Sequence, residues 1–163
     1  GVSGVLELAE QFASLPMARS LVFMTFAAEE VGLFGSNALD VLDLIDLDQL
    51  VFMLNLDMIG RNPSRSVQVY GDGFTDGLGD IVLEANARHE LKVELKGRVY
   101  EPFSDMAVFH DRGIPFLMLF TGEHEDYHGK GDHANKLDYE RMTRIVDLAY
   151  DILARVAESD GPL

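Results

Sequence analysis

Three short, predominantly apolar runs constrain the fold of this 163-residue chain most strongly. They cover Leu21–Ala27, Val51–Leu56 and Pro115–Phe120. Runs of this length, bounded by Gly, Pro and acidic residues, are typical of strands that are buried on both faces. Because a sheet with one solvated face would show alternating polarity, these runs predict a mainly parallel sheet with helices on both faces.

Helical periodicity between the runs supports that architecture. Apolar residues recur at helical spacing over residues 4–14, 34–44 and 75–90, and again from Met142 to Val156. Ser104 is a plausible N-cap for a short helix that ends near Arg112. Ser66–Tyr70 and Lys92–Leu95 alternate in polarity, and the second is expected to be an edge strand. The pattern predicts one α/β domain over residues 1–163, with three α/β/α layers around a mixed, mainly parallel sheet.

Charge and composition exclude several functional classes. The formal net charge of −15 argues against binding to nucleic acid, whose phosphates require a basic surface, and against anionic membranes. The chain has no cysteine, which removes disulfides, thiolate zinc sites and cysteine nucleophiles. No apolar run approaches the length of a membrane span.

Polar side chains follow each of the three apolar runs. Glu29 and Glu30 follow the first, Asp57 the second, and a polar loop containing His128 the third. Ligands of open α/β sheets bind at the carboxyl ends of the strands, so these side chains are expected to converge. Taken singly, an aspartate after a strand is more often a turn or cap residue, and a histidine in a polar loop is more often a surface residue.

Together these residues favour a metal site. Carboxylate and imidazole donors from Glu30, Asp57 and His128 suit a catalytic zinc ion. Zinc lowers the pKa of bound water, and Glu29 lies next to a ligand, where it could accept the water proton.

Read in order, several stretches resemble the di-zinc aminopeptidases of metallopeptidase family twenty-eight, in the zinc-dependent exopeptidase superfamily. The resemblance covers nearly the whole chain and implies the phosphorylase/hydrolase-like fold of that group. The matching stretches are Phe23–Ser36, Asn55–Gly60, Ser104-Asp105, Gly113–Pro115 and Thr121–His128.

The resemblance assigns roles residue by residue. Glu29 is similar to the general base, Glu30 and His128 to ligands of one zinc, and Asp57 to a ligand of the other. Tyr127 is similar to the hydroxyl donor that stabilises the tetrahedral oxyanion. The implied reaction is removal of the N-terminal residue of a peptide substrate.

Other positions qualify this assignment. Asn55 and Asp105 are expected to support the ligands without binding metal. Met106 stands where the family usually has histidine, and Gly129–Asp132 replaces the usual segment after the ligand histidine. His124 and His133 are expected to lie on the loop surface.

The family also supplies an upstream histidine and a bridging aspartate that this chain does not contain. Val2–Val5 aligns just after the bridging aspartate. The chain is therefore expected to be the C-terminal part of a catalytic domain, truncated at its N-terminus, or one piece of a two-piece assembly. The full-length relatives imply two zinc ions, and at most one is expected here, so this chain could be inactive alone. Loss of the strand that carries the histidine should leave a gap in the sheet, and exposed edges could favour self-association.

Two alternatives stay open at this level. A glutaminyl cyclase of related fold would use one zinc and transfer an amine within the peptide. A receptor or scaffold domain would keep the fold without the metals. The Gly32–Gly35 run favours the peptidase, and retention of five site residues argues against the scaffold. Many relatives are secreted or periplasmic, but the sequence leaves the compartment of this chain open.

Overall fold

The computed structural model describes residues 1–159 and Gly161, and its centre is a four-stranded mixed sheet. The strands, in chain order, are β1 Met53–Leu56, β2 Val67–Tyr70, β3 Val93–Leu95 and β4 Phe116–Phe120. They lie in the order β1-β4-β2-β3, with β1 parallel to β4, β2 parallel to β3, and β2 antiparallel to β4. The mainly parallel sheet and the edge position of β3 are thus confirmed.

Six α-helices accompany the described strands. They are α1 Val2–Phe12, α2 Phe34–Asn37, α3 Leu39–Leu42, α4 Leu78–Asn86, α5 Met106–His110 and α6 Tyr139–Glu158. Helices α1 and α4 pack against α6 on one side of the sheet, and α5 packs against β1 and β4. Within residues 1–159 and 161, no helix is both long and apolar enough to cross a membrane.

Strand β4 forms the centre of the core, and all five of its side chains are buried. Leu117 and Leu119 join the cluster formed with α1, α4 and α6. Phe116, Met118 and Phe120 join a second cluster that includes Met106 of α5 and Tyr70 of β2. Successive strand residues point to opposite faces, so a strand with two apolar faces separates two helical layers.

The prediction of a strand at Leu21–Ala27 is wrong. No strand is assigned there, and the side chains of this segment are half-buried or exposed. The segment lines a cleft of about 740 Å³, and residues 49–57, including β1, line the same cleft. A strand needs backbone hydrogen bonds from a neighbouring strand. The apolar run has no such neighbour among the described residues.

Two helix predictions also differ in detail. The predicted helix at 34–44 is two four-residue turns, α2 and α3, and Asp43 follows them in the left-handed region with φ 48°. Ser104 is not the N-cap of α5, because Asp105 occupies that position without a capping side-chain hydrogen bond. The Ser104 hydroxyl accepts instead from Nδ2 of Asn55 at 2.8 Å.

A capping interaction starts helix α6 and gives a direct test of its stability. The Asp138 carboxylate accepts from the backbone N–H of Arg141 at 3.1 Å, which satisfies one of the free amides of the first turn. We expect Asp138→Ala to lower the free energy of unfolding by about 1 kcal/mol, measured by urea denaturation. Asp138→Asn keeps an acceptor and should cost much less. Equal losses in both variants would contradict a capping role.

Candidate active site

The predicted site residues lie at one edge of the sheet because β1 and β4 run in the same direction. Asp57 directly follows β1, and its backbone N–H donates to Leu119 O of β4 at 3.2 Å. The loop that contains Tyr127 and His128 follows β4. Parallel pairing therefore delivers both loops to the carboxyl edge, where α/β sheets bind ligands.

A tight turn brings the two glutamates to this edge. Glu29 and Glu30 form a single 3₁₀ turn, preceded by Ala28 in the left-handed region with φ 59°. The turn places Oε1 of Glu30 2.8 Å from Nε2 of His128, although the two residues are 98 positions apart. Both side chains are more than half exposed, so the contact faces solvent.

Tyr127 packs directly on the histidine. Its ring stacks on that of His128 with centroids 3.9 Å apart and an angle of 24° between the planes. Partial burial, together with the negative charges of Glu30 and Glu123, raises the pKa of the Tyr127 hydroxyl. The hydroxyl therefore stays protonated at neutral pH and can donate a hydrogen bond.

The environment of Glu29 suits a proton acceptor. Its half-buried carboxyl has a raised pKa, first because of burial and then because of the negative charges of Asp57, Glu30 and Asp105. A neighbouring His128 opposes the shift. A carboxylate with a raised pKa is a better general base than an exposed one, because its pKa lies closer to neutral pH.

Asn55 and Asp105 make side-chain hydrogen bonds that connect segments of the chain near this edge. Asn55 donates to Ser104, and the Ser36 hydroxyl donates to Oδ1 of Asp105 at 2.6 Å. Asp105 is 8% exposed. The pKa of its carboxyl is raised, chiefly by burial and also by the negative charge of Asp57, while the hydrogen bond from Ser36 opposes the shift. The expected support of metal ligands by Asn55 and Asp105 stays a prediction.

The residues present fit part of a zinc site. Glu30 and His128 offer the carboxylate and imidazole donors that zinc takes, and both are accessible. Among the described residues, however, no group of three His, Asp or Glu side chains is close enough to hold a metal. The structure thus brings Glu30 and His128 together, while Asp57 as a ligand stays a prediction.

Three of the seven non-glycine residues with positive φ in the described part of the chain lie at or next to the predicted site residues. Ala28, Met58 and His128 all have positive φ, at 59°, 47° and 54°. Ala28 precedes Glu29, Met58 follows Asp57, and His128 is itself a predicted ligand. Non-glycine residues in this region are held there by their surroundings and are enriched at functional sites.

An ion-pair network beside the site was not predicted from the sequence. Arg61 contacts Asp126 at 2.8 Å and Asp132 at 2.7 Å, and Lys136 contacts Asp126 at 2.7 Å. Hydrogen bonds from Lys136 and Arg61 lower the pKa of Asp126 to about 2. Charged residues in a polar loop carry no periodic signal, so only proximity in the fold reveals these partners.

His124 corrects another expectation. It was expected on the loop surface, but its side chain is only 5% exposed and its Nε2 lies 3.8 Å from Oδ2 of Asp132. Tyr127 and Asp132 of the same loop lie beside this side chain, with the Tyr127 ring centroid 6.4 Å from that of His124.

The cleft described above reaches the same edge. Glu29, Asn55, Asp57, Ser104 and Asp105 all line it. Strand β1 pairs with β4 on one side, and no strand within the described residues pairs with its other side. The candidate site is therefore open towards the cleft.

Comparison with known sequences gives two informative relatives. Aminopeptidase YwaD of Bacillus subtilis (strain 168) is 29% identical over 157 residues, covering 91% of this chain and 34% of the relative. Leucine aminopeptidase 2 of Trichophyton equinum is 29% identical over 161 residues, covering 81% of this chain and 32% of the relative. The chain thus spans about a third of the length of the curated relatives it matches.

Solved structures share the fold. An aminopeptidase from Aneurinibacillus sp. strain AM-1 superposes with a TM-score of 0.80 at 27% identity, covering 99% of this chain and 39% of that one. BSAP, a zinc aminopeptidase from Bacillus subtilis, superposes with a TM-score of 0.82 at 23% identity, covering 98% of this chain and 41% of that one. A glutaminyl cyclase from Porphyromonas gingivalis superposes with a TM-score of 0.66 at 16% identity, covering 96% of this chain and 61% of that one. The last two likenesses concern the fold alone.

A family model agrees with the resemblance drawn from the motifs. Residues 1–153 match the model of peptidase family M28, which is nearly the whole chain. The sequence motifs, the α/β fold and this match therefore lead to one conclusion: the chain belongs to peptidase family M28.

Proposed function

We propose that the whole protein is a zinc-dependent aminopeptidase and that residues 1–163 carry its general base and half of its metal site. The observation that carries this proposal is the contact between Glu30 and His128 at the edge of the sheet, with Glu29 beside it. The aminopeptidase names of the relatives support the reaction class.

The residues of this chain divide the chemistry between them. Glu30 and His128 would hold one zinc ion, and Asp57 would help to hold a second. When bound, zinc would act as a Lewis acid and lower the pKa of a water molecule towards neutrality. Glu29 accepts the proton of the attacking water and passes it to the leaving amine nitrogen. The Tyr127 hydroxyl donates to the oxygen on which negative charge develops.

We further propose that the cleft beside β1 receives a β-strand from outside the 163 residues. The strand would pair with the open side of β1 and bring the remaining ligands next to Asp57. Three observations support this. One side of β1 and the apolar run at 21–27 have no strand partner among the described residues, and the chain covers about a third of the relatives' length. Residues 1–163 would then be the partial catalytic domain of a longer protein.

The zinc content per chain tests both proposals. We expect two zinc ions in the longer protein and at most one in residues 1–163, measured by elemental analysis after dialysis. Leucyl-p-nitroanilide hydrolysis by the longer protein should be lost with a chelator and restored by zinc. Tight binding of two zinc ions by residues 1–163 would overturn the ligand assignment. Absence of both zinc and hydrolysis in the longer protein would instead favour a scaffold domain.

Single substitutions test the ligands themselves. In the longer protein, His128→Ala and Glu30→Gln should each lower zinc affinity sharply, because each removes one of the proposed ligands. His133→Ala is the matched control for the histidine, since His133 is exposed in the same loop. A similar loss of zinc in His133→Ala would contradict the assignment of His128.

A further inference from the structure

We propose that Arg61 and Asp126 position His128 and Tyr127 for the proposed zinc chemistry, so that the inference rests on the proposed function. Arg61, Asp126, Asp132 and Lys136 are called the Arg61 clamp below. None of these four residues is assigned a part in the reaction itself. They act by fixing the loop that presents the ligand histidine.

The geometry of the clamp is that of a closed network. The Arg61 guanidinium uses Nη2 for Oδ2 of Asp126 at 2.8 Å and Nη1 for Oδ1 of Asp132 at 2.7 Å. Lys136 donates to both oxygens of Asp126, at 2.8 and 2.7 Å. Both carboxylate oxygens of Asp126 are therefore engaged by cations, and a forked guanidinium holds two carboxylates with defined directions.

Burial separates the central pair from an ordinary surface ion pair. The side chains of Arg61 and Asp126 are 13% and 14% exposed. Exposed ion pairs contribute little because water screens them and their side chains stay mobile. A largely enclosed pair loses much more when one partner is removed, because the remaining charge is left without a counterion.

The position of the clamp connects the two loops of the site. Arg61 lies four residues after Asp57, and Asp126 directly precedes Tyr127. The Thr121 hydroxyl donates to the carbonyl oxygens of Met58 and Arg61, and Asp138 N–H donates to Gly60 O at 2.9 Å. The loop after β1 and the loop after β4 are thus fastened together at this point.

The strained backbone of the site explains why a fastening is needed. His128 has φ 54°, a conformation that persists only where surrounding contacts impose it. The loop is also tied next to it, since the N–H of Gly129 donates to Asp126 O at 2.7 Å. The Asp126 side chain is therefore bound to Arg61, and its carbonyl oxygen is bound to Gly129, the residue after His128. These two contacts set the direction of the imidazole.

Cobalt binding provides the test, because Co²⁺ replaces zinc and its visible absorption reports ligand geometry. Apo longer protein is titrated with Co²⁺, and Asp126→Asn is expected to weaken binding about 10- to 100-fold and to change the visible bands. Arg61→Gln should give a similar loss. The double variant should lose less than the sum of the two single losses, because both substitutions remove the shared contact between Arg61 and Asp126.

A control of matched burial separates positioning from general destabilisation. Asp151 on α6 is 8% exposed, and its carboxylate accepts from His89 at 2.6 Å and from Arg88 at 3.1 Å, two residues that follow helix α4. Asp151→Asn should lower the melting temperature of the apo protein and leave Co²⁺ affinity unchanged. If Asp126→Asn does not fold, Arg61→Lys is titrated in its place; it keeps the charge, loses the fork, and should still weaken binding measurably.

The outcomes distinguish this inference from the function on which it rests. Loss of Co²⁺ affinity in Glu30→Gln and Asp126→Asn, but not in Asp151→Asn, supports the clamp. Loss in Glu30→Gln with unchanged affinity in Asp126→Asn overturns the clamp alone, as does an equal loss in Asp151→Asn. Unchanged affinity in Glu30→Gln overturns the proposed ligand set, and the clamp with it.

Discussion

Glu29→Gln in the longer protein is expected to lower kcat for leucyl-p-nitroanilide hydrolysis by about 10²- to 10⁴-fold. Glutamine has the shape of glutamate but cannot accept the proton of the attacking water. The raised pKa of Glu29 indicates that its carboxyl can take and return a proton more readily than an exposed glutamate. Because the substitution leaves substrate contacts in place, KM should change much less than kcat.

Two measurements make this result specific to proton transfer. Zinc content should be unchanged in Glu29→Gln, whereas Glu30→Gln should lose zinc. Glu84→Gln, a control on helix α4 whose side chain is exposed and contacts Arg155, should keep the full rate. An unchanged kcat in Glu29→Gln would rule out the base role, and loss of zinc in that variant would make Glu29 a ligand instead.

Gly71→Ala is expected to lower the free energy of unfolding by about 2–5 kcal/mol. Gly71 follows β2 with φ 95°, and a Cβ there would lie 2.2 Å from the carbonyl oxygen of Phe116. The left-handed conformation costs an L-residue about 1–2 kcal/mol, and overpacking a core adds about 1–3 kcal/mol. Phe116 lies on the central strand β4, so its backbone cannot move without disturbing two strand pairings.

A second glycine separates the two contributions. Gly97 also has positive φ, at 64°, but a Cβ there would meet no atom within 4 Å. Gly97→Ala should therefore cost only the conformational part, about 1–2 kcal/mol, in the same urea denaturation series. Equal losses at Gly71 and Gly97 would show that contact with Phe116 contributes nothing.

The elements that could be predicted from the sequence are those whose signal is local. The apolar runs at Val51–Leu56 and Pro115–Phe120 correctly predicted β1 and β4, and helical periodicity predicted α1, α4 and α6. The run at Leu21–Ala27 is similarly apolar but forms no strand. Apolar content reports a preference for burial, whereas a strand also requires a partner that no local pattern specifies.

The candidate site likewise contains residues that could be predicted from the sequence and residues that could not. The residues around Glu29, Glu30 and His128 resemble a known family, and the family match over residues 1–153 confirms that resemblance. Their roles stay proposals, but their grouping was anticipated. The partners of Arg61 were not, because Asp126 and Asp132 are two acids among many in a chain of net charge −15.

By itself, the sequence determined the fold class, the family and the residue types available for catalysis, because these follow from periodicity and from short motifs. Tertiary structure alone decided that Glu30 meets His128 at 2.8 Å and that Arg61 binds Asp126 and Asp132. It also left the apolar run at 21–27 beside an open cleft, without a strand partner in the part of the chain that the structure describes. The physical reason is that hydrogen bonds and ion pairs depend on distances of a few ångströms between residues far apart in the chain. The parallel pairing of β1 with β4 brings the loops of Arg61 and Asp126 together, and the 3₁₀ turn at Glu29 brings Glu30 to the same edge.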